Sequence, residues 1–208
     1  MGCGCLLRGL GAGGRTKGKG GLGLLVSLPD PGWAGRGVEL VEGLRSVLGP
    51  LAVRVEHIGS TAVPGMAAKP VFDVQVSVVD LEVAAAVFDG PLAGLGFVRR
   101  PYERDHVPAG CGDGPELWVK RYWNRRGSEP VNLHCRLVGS PNERLALLFR
   151  DWFRAHPGAV PAYAAFKVAL AEAVSGDVGV YTDVKDPVVD LVAVVAEEWA
   201  AVSGWSVG

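Results

Sequence analysis

Glu56-His57-Ile58-Gly59-Ser60-Thr61-Ala62-Val63-Pro64-Gly65-Met66-Ala67-Ala68-Lys69-Pro70-Val71-Phe72-Asp73-Val74-Gln75-Val76 reads as strand, turn, loop, strand. An apolar run over 52–58 stops at Gly59-Ser60, and a second run over 71–79 carries Asp73 near its start. Between them Pro64, Gly65 and Pro70 set turns and place Lys69 on a stiff loop. A Gly-Ser turn offers backbone N–H donors to an anion. A carboxylate at the head of the next strand suits a metal ion or a base. The stretch predicts a phosphate site facing a metal or base site, with the rest of the chain as scaffold.

Upstream, Pro29-Asp30-Pro31-Gly32-Trp33 reads as a turn into a helix over 34–48, with Val38, Val41, Leu44, Val47 and Leu48 on one face. Gly35, Gly37 and Gly43 each weaken it by up to ~1 kcal/mol relative to Ala, so packing must hold it. Downstream, Asp80 caps a helix over 81–92. A short strand over 97–100 and a loop over 101–115 follow. Two alternating runs, 116–122 and 131–138, read as strands. In the first, Lys120 and Arg121 point to opposite faces. In the second, Asn132, His134 and Arg136 share a polar face and Leu133, Cys135 and Leu137 an apolar one.

The C-terminal third reads as helical. Ser140-Pro141-Asn142-Glu143 has the form of a capping box with Pro at the first helical position. Leu145, Leu148, Phe149, Trp152 and Phe153 then recur at helical spacing. A second helix spans 159–174, and Asp186-Pro187 opens a last one burying Val188, Leu191, Val192, Val195 and Trp199. Together these elements predict an α+β domain: a mixed or antiparallel sheet of four to five strands backed by helices.

Composition narrows the function classes. A net charge of −1 argues against a nucleic-acid binder, which would be plainly basic. Four scattered cysteines do not make a secreted disulfide framework, so the expected location is the cytoplasm. No window reaches the ~18 uncharged apolar residues of a membrane span. Ten glycines fall in the first 24 positions, with Arg8, Arg15, Lys17 and Lys19 but no acidic residue. Residues 1–25 therefore read as a disordered tail and 26–208 as the domain. Within the tail, Gly13 to Lys19 has the spacing of a P-loop, but Gly20 stands where the magnesium-binding Ser or Thr belongs.

The run from His57 to Gly65, then Ala68-Lys69-Pro70 and Asp73, resembles the signature of the GrpB-like family. Lys120-Arg121, Asn132-Leu133-His134, Gly139-Ser140-Pro141, Leu147 to Asp151, Tyr163, Lys167, Tyr181 and Lys185 extend the likeness across about 27–205. It implies a fold similar to that of the polymerase-beta-type nucleotidyltransferases. Arg54-Val55, Asp73 to Val76 and Leu147 to Phe153 are most similar to a domain joined to the C-terminus of actinobacterial dephospho-CoA kinases. Because the only P-loop-like run is broken, a stand-alone domain or a remnant without the kinase half is expected.

The resemblance implies binding of a nucleotide or related phosphate ester and, if the site is catalytic, metal-assisted nucleotidyl or phosphoryl transfer. That chemistry uses two carboxylates spaced D-x-D on one strand face to hold two Mg or Mn ions. Twelve residues separate Ser60 from Asp73, which fits, but the second carboxylate is replaced by Gln75. The later strand offers His134, and imidazole suits Zn better than Mg. Asp73 and His134 are therefore the candidate catalytic and metal-binding residues. His57, Gly59, Ser60, Lys69, Lys120 and Arg121 are the candidate phosphate or nucleotide contacts, and Lys167 is either a further phosphate contact or a solvated side chain. Arg150 and Asp151 read as a structural pair, Tyr163 as core and Cys135 as a buried inert thiol. The competing reading is a non-catalytic accessory domain that docks a kinase or a second copy of itself, linked to coenzyme A biosynthesis.

Overall fold

The computed structural model describes residues 26–175 and 177–208. The expectations for residues 1–25, including the broken P-loop, lie outside these residues. Apolar alternation forms five strands: β1 (Arg54–Ile58), β2 (Phe72–Val78), β3 (Phe97–Arg100), β4 (Lys120–Arg125) and β5 (Val131–Leu137). They make one mixed sheet in the order β1-β2-β5-β4-β3, with β2 and β5 parallel and the other neighbours antiparallel. The expected α+β architecture is thus present.

Helices α1 (Trp33–Leu48) and α2 (Leu81–Gly94) cover one face of the sheet. Val55, Val74, Val76, Leu133, Cys135 and Trp123 pack there against Trp33, Leu44, Ala84, Phe88 and Leu92. The Asp80 carboxylate caps α2 by accepting from Glu82 N and Val83 N. The inward face of α1 is rotated from the one expected: Val38 is 58% exposed, while Trp33, Gly37, Leu44 and Leu48 are buried. Gly37 sets this rotation, because a Cβ there would lie 2.1 Å from Nδ1 of His57.

The strand expected over 116–122 starts later. Gly114-Pro115 turns the chain into a single 3-10 turn, Pro115–Trp118, and pairing with β5 begins only at Lys120. Proline supplies no N–H for a ladder, and Trp118 is buried by that turn instead of by strand alternation.

Helices α3 (Pro141–Ala155), α4 (Val160–Ala173) and α5 (Val178–Ser203) build the other side. Ser140 Oγ accepts from Glu143 N, while the Glu143 carboxylate reaches back to Gly139 N at 2.6 Å. α5 begins before the expected Asp186-Pro187 start, at an Asp177 side-chain cap, and carries Pro187 inside it. Its inward face is Asp190, Ala193, Ala196 and Ala200, and Leu191 is 65% exposed. Small alanines let α5 lie close against Leu148 of α3; Val188, Val192 and Trp199 pack inward beside them as expected, while Leu191 and Val195 turn outward. No helix among the described residues is long and apolar enough to cross a membrane.

Candidate functional site

The sheet register builds one polar face from residues far apart in sequence. Asp73 lies beside Asn132, Gln75 beside His134, and Ser77 beside Arg136. β4 adds Tyr122 opposite His134 and Lys120 opposite Arg136. At the head of β2, Asn132 Nδ2 donates to Asp73 Oδ1 at 2.8 Å, and Tyr122 O–H donates to Asn132 Oδ1 at 2.6 Å. His134 Nε2 faces the same Asp73 oxygen at 3.6 Å. The Asp73 side chain keeps 31% of its surface exposed, so this end of the face opens to solvent.

The protonation pattern follows from the partners. Lys120 Nζ lies 3.4 Å from His134 Nδ1. An ammonium has only donors, so Nδ1 is the acceptor and Nε2 carries the proton toward Asp73. Burial, then the Arg136 and Lys120 charges, hold the His134 pKa below its ordinary value against the pull of Asp73, and the ring is neutral. Burial works against ionisation of Asp73, but His134, Asn132 and the Lys185 charge outweigh it and keep its pKa low.

The Gly59-Ser60 turn abuts this carboxylate. Gly59 has φ +70°, and a Cβ built on it would fall 2.6 Å from Asp73 Oδ2. Only glycine satisfies both the conformation and the approach. Arginines of α3 fix the turn: Arg150 donates to Glu56 Oε2 and His57 O, and Arg154 donates to Ala62 O. Val63 and Met66 anchor the following loop against Phe153 and Tyr163.

Lys167 of α4 reaches the same turn. Its Nζ donates to Ser60 Oγ at 2.8 Å and lies over the Tyr163 ring. It is 3% exposed and forms no ion pair among the described residues. Burial, followed by repulsion from Lys185, pulls its pKa down to about 7 despite the attraction of Asp73. A buried ammonium with one hydroxyl partner and spare N–H donors is short of counter-charge.

The residues present do not fit a pair of divalent ions. Gln75 is committed: its Oε1 accepts from Arg136 Nη1 at 2.5 Å and its Nε2 donates to Glu143 O. Lys120 and Arg136 bring positive charge to where a cation would bind, held by Asp105 at 2.5 and 2.8 Å. The proton on His134 Nε2 also occupies the nitrogen that faces Asp73. No group of three His, Cys, Asp or Glu among the described residues is placed to hold a metal.

The other sequence candidates distribute as follows. Lys120 shares the Asp73 face but serves Asp105. Arg121 lies on the opposite face and pairs with Glu82 of α2. His57 also lies on the opposite face, under α1, where Nε2 meets Thr61 Oγ1 at 2.8 Å. Burial, ahead of the Arg154 and Arg150 charges, lowers its pKa to about 4 although Asp73 pulls the other way. Lys69 is exposed and has no side-chain partner among the described residues. Cys135 is fully buried and its thiol pKa is pushed up to about 12, in keeping with inertness. The site thus gathers Gly59, Ser60, Asp73, His134 and Lys167 from the candidates, with Lys167 buried instead of solvated, leaves His57 and Arg121 behind the sheet, and adds Tyr122, Asn132 and Lys185.

Comparison with known proteins agrees with this architecture. The profile of the family described as "GrpB protein" matches residues 24–194. The chain belongs to the GrpB family. A GrpB crystal structure from Enterococcus faecalis superposes with TM-score 0.68 at 25% identity, covering 84% of this chain and 99% of that one. A Mycolicibacterium paratuberculosis protein named dephospho-CoA kinase is 36% identical over 85% of this chain and 47% of its own length. A Bacillus subtilis protein named UPF0157 protein YqkA is 32% identical over 84% of this chain and 47% of its own. The chain therefore spans about half the length of these curated relatives.

Proposed function

We propose that this GrpB-family domain binds a phosphate ester, with nucleotides the leading class, at the Ser60–Lys167 contact beside Asp73. The observation that carries the reading is Lys167: a buried ammonium on Ser60, beside Lys185, with no carboxylate partner among the described residues. A phosphate would supply the missing negative charge and accept from Lys167 and from the Ser60 hydroxyl. Dephospho-CoA, the compound in the mycobacterial relatives' name, is itself such an ester. Two-metal nucleotidyl transfer is not part of the proposal, since Gln75, Lys120 and Arg136 replace the ligand set it needs.

The test is thermal unfolding of the chain with ATP, ADP, dephospho-CoA or inorganic pyrophosphate. A ligand at one hundred times its Kd stabilises the fold by about 2.7 kcal/mol. Lys167→Met is expected to abolish that gain. Absence of stabilisation by every compound at saturating concentration would end this reading.

A second reading has its own support. Leu191, Val194 and Val195 are exposed together on α5, and Val202 lies further along the same face beyond Glu198. Together with relatives about twice as long that are named dephospho-CoA kinase, this favours an accessory domain that docks a kinase domain.

A further inference from the structure

We infer that Ser60 is a nucleophile with Lys167 as its general base, which gives the domain an acyl-transfer activity toward activated esters or thioesters. The phosphate reading uses the charged form of Lys167 and this one the neutral form, so neither depends on the other.

Lys167 Nζ and Ser60 Oγ lie 2.8 Å apart, within the ~2.6–3.2 Å reach of a base for the proton it abstracts. Nucleophile and base differ in access. Ser60 is part-exposed, so a carbonyl can approach Oγ from solvent, whereas Lys167 is 3% exposed. Ser60 also sits where the chain turns sharply from β1 into a 3-10 turn, Ser60–Ala62, with Gly59 at φ +70° and ψ −168°. Sharp turns at the end of a strand are a recurrent way of presenting a nucleophilic oxygen, and serine–lysine pairs work as dyads on unrelated folds.

The surroundings favour the neutral amine. Nζ lies 5.0 Å from the Tyr163 ring centroid and has no carboxylate partner among the described residues. A lysine desolvated in this way beside a second cation, here Lys185, is a base near neutral pH, in keeping with its pKa of about 7. Asp73 pulls in the opposite sense and stabilises the lysinium once the proton has moved.

In the step, neutral Lys167 takes the Ser60 hydroxyl proton as Oγ bonds to the carbonyl carbon. The bond from that carbon to the leaving oxygen or sulfur then breaks, and Lys167 returns the proton to the departing atom. Water releases the acyl group from Ser60 by the same route. Lys185, whose charge acts on both Lys167 and Asp73, offers positive charge to the carbonyl oxygen as it becomes negative.

The experiment is incubation of the whole chain with p-nitrophenyl acetate, following p-nitrophenolate release and mapping the acid-quenched protein by peptide mass spectrometry. The expected result is an acetyl group on Ser60, formed at a rate that rises with pH to a plateau with its midpoint at about 7. Lys167→Arg keeps a donor for Ser60 but stays charged, and should slow Ser60 acetylation about a hundredfold or more. A lysine that only tethered the turn would tolerate that change. If Lys167→Arg fails to fold, the plateau in the pH profile of the unaltered chain decides. Acetyl groups confined to surface lysines, a Ser60 rate unchanged in a folded Lys167→Arg, or a rate that climbs with pH without a plateau overturns the dyad and leaves the phosphate reading standing. Ser60 acetylation with that profile, in a chain that no phosphate compound stabilises, upholds the dyad and ends the phosphate reading alone.

Discussion

Lys167 concentrates the chemistry of the site in one side chain. Its ordinary pKa of 10.5 falls to about 7 in the fold. Between those values the unfolded chain binds the extra proton, so stability should rise with pH through that window and be flat on either side of it. Phosphate binding requires the ammonium, so affinity should fall as pH climbs above about 7. Urea melts and titrations across this range would show slopes of opposite sign. Lys167→Met should flatten both, leaving the apo protein as stable or more stable because a buried charge gives way to an apolar side chain. A lysine that merely propped Ser60 would instead lose stability on substitution. Gly59→Ala tests the neighbouring constraint. Gly59 sits at φ +70°, ψ −168°, a region essentially confined to glycine that costs other residues about 1–3 kcal/mol, and the methyl would displace Asp73 as well. A drop in the urea midpoint together with weakened phosphate affinity is expected.

At the scale of elements, the loop over 101–115 is a strap that keeps the polar face in register. Asp105 holds Lys120 of β4, Arg136 of β5 and Asn142 of α3, while His106 and Ala109 N bind Asp190 of α5. Burial resists ionisation of Asp105, yet the Arg136 and Lys120 charges hold its pKa far below the carboxylate range. Asp105→Ala would leave two buried cations unpaired, a change that costs roughly 3–5 kcal/mol, measurable as a lowered denaturant midpoint. This strap was not legible in the sequence, because a loop has no periodicity to mark which of its carboxylates turns inward. Strand and helix identities were legible, since β2, β5 and α3 alternate or repeat cleanly. Gly59-Ser60 and Asp73 were legible as a unit because β1 and β2 are sequential and antiparallel. Lys167, 107 positions from Ser60, meets it only because Tyr163 and Val160 of α4 pack against Val63 and Met66. The opposite pointing of Lys120 and Arg121 followed from strand parity. Which of them faced Asp73 depended on the β4–β5 register, which a 3-10 turn at Pro115–Trp118 sets.

For the molecule as a whole, two surfaces compete as the reason for its existence, and they lie on one helix. The first half of α5 brings Lys185 toward Lys167, and the second half turns Leu191, Val194 and Val202 to solvent. The inward face of that second half is already filled by Ala196 and Ala200 against Leu148, so the fold itself makes no use of the outward stripe. Residues of this kind are spared by folding stability and are free to serve an interface. Leu191→Lys with Val194→Lys should therefore leave the melting temperature and ADP binding unchanged, because no core contact or residue of the ligand site is touched. If the domain docks a kinase, the same pair should abolish co-elution with a dephospho-CoA kinase domain in size-exclusion chromatography with light scattering. Lys167→Met should do the reverse, losing ligand while keeping co-elution. Loss of both properties in either variant would mean that ligand and partner share one surface, which would require the partner to approach over Asp73 instead of along α5.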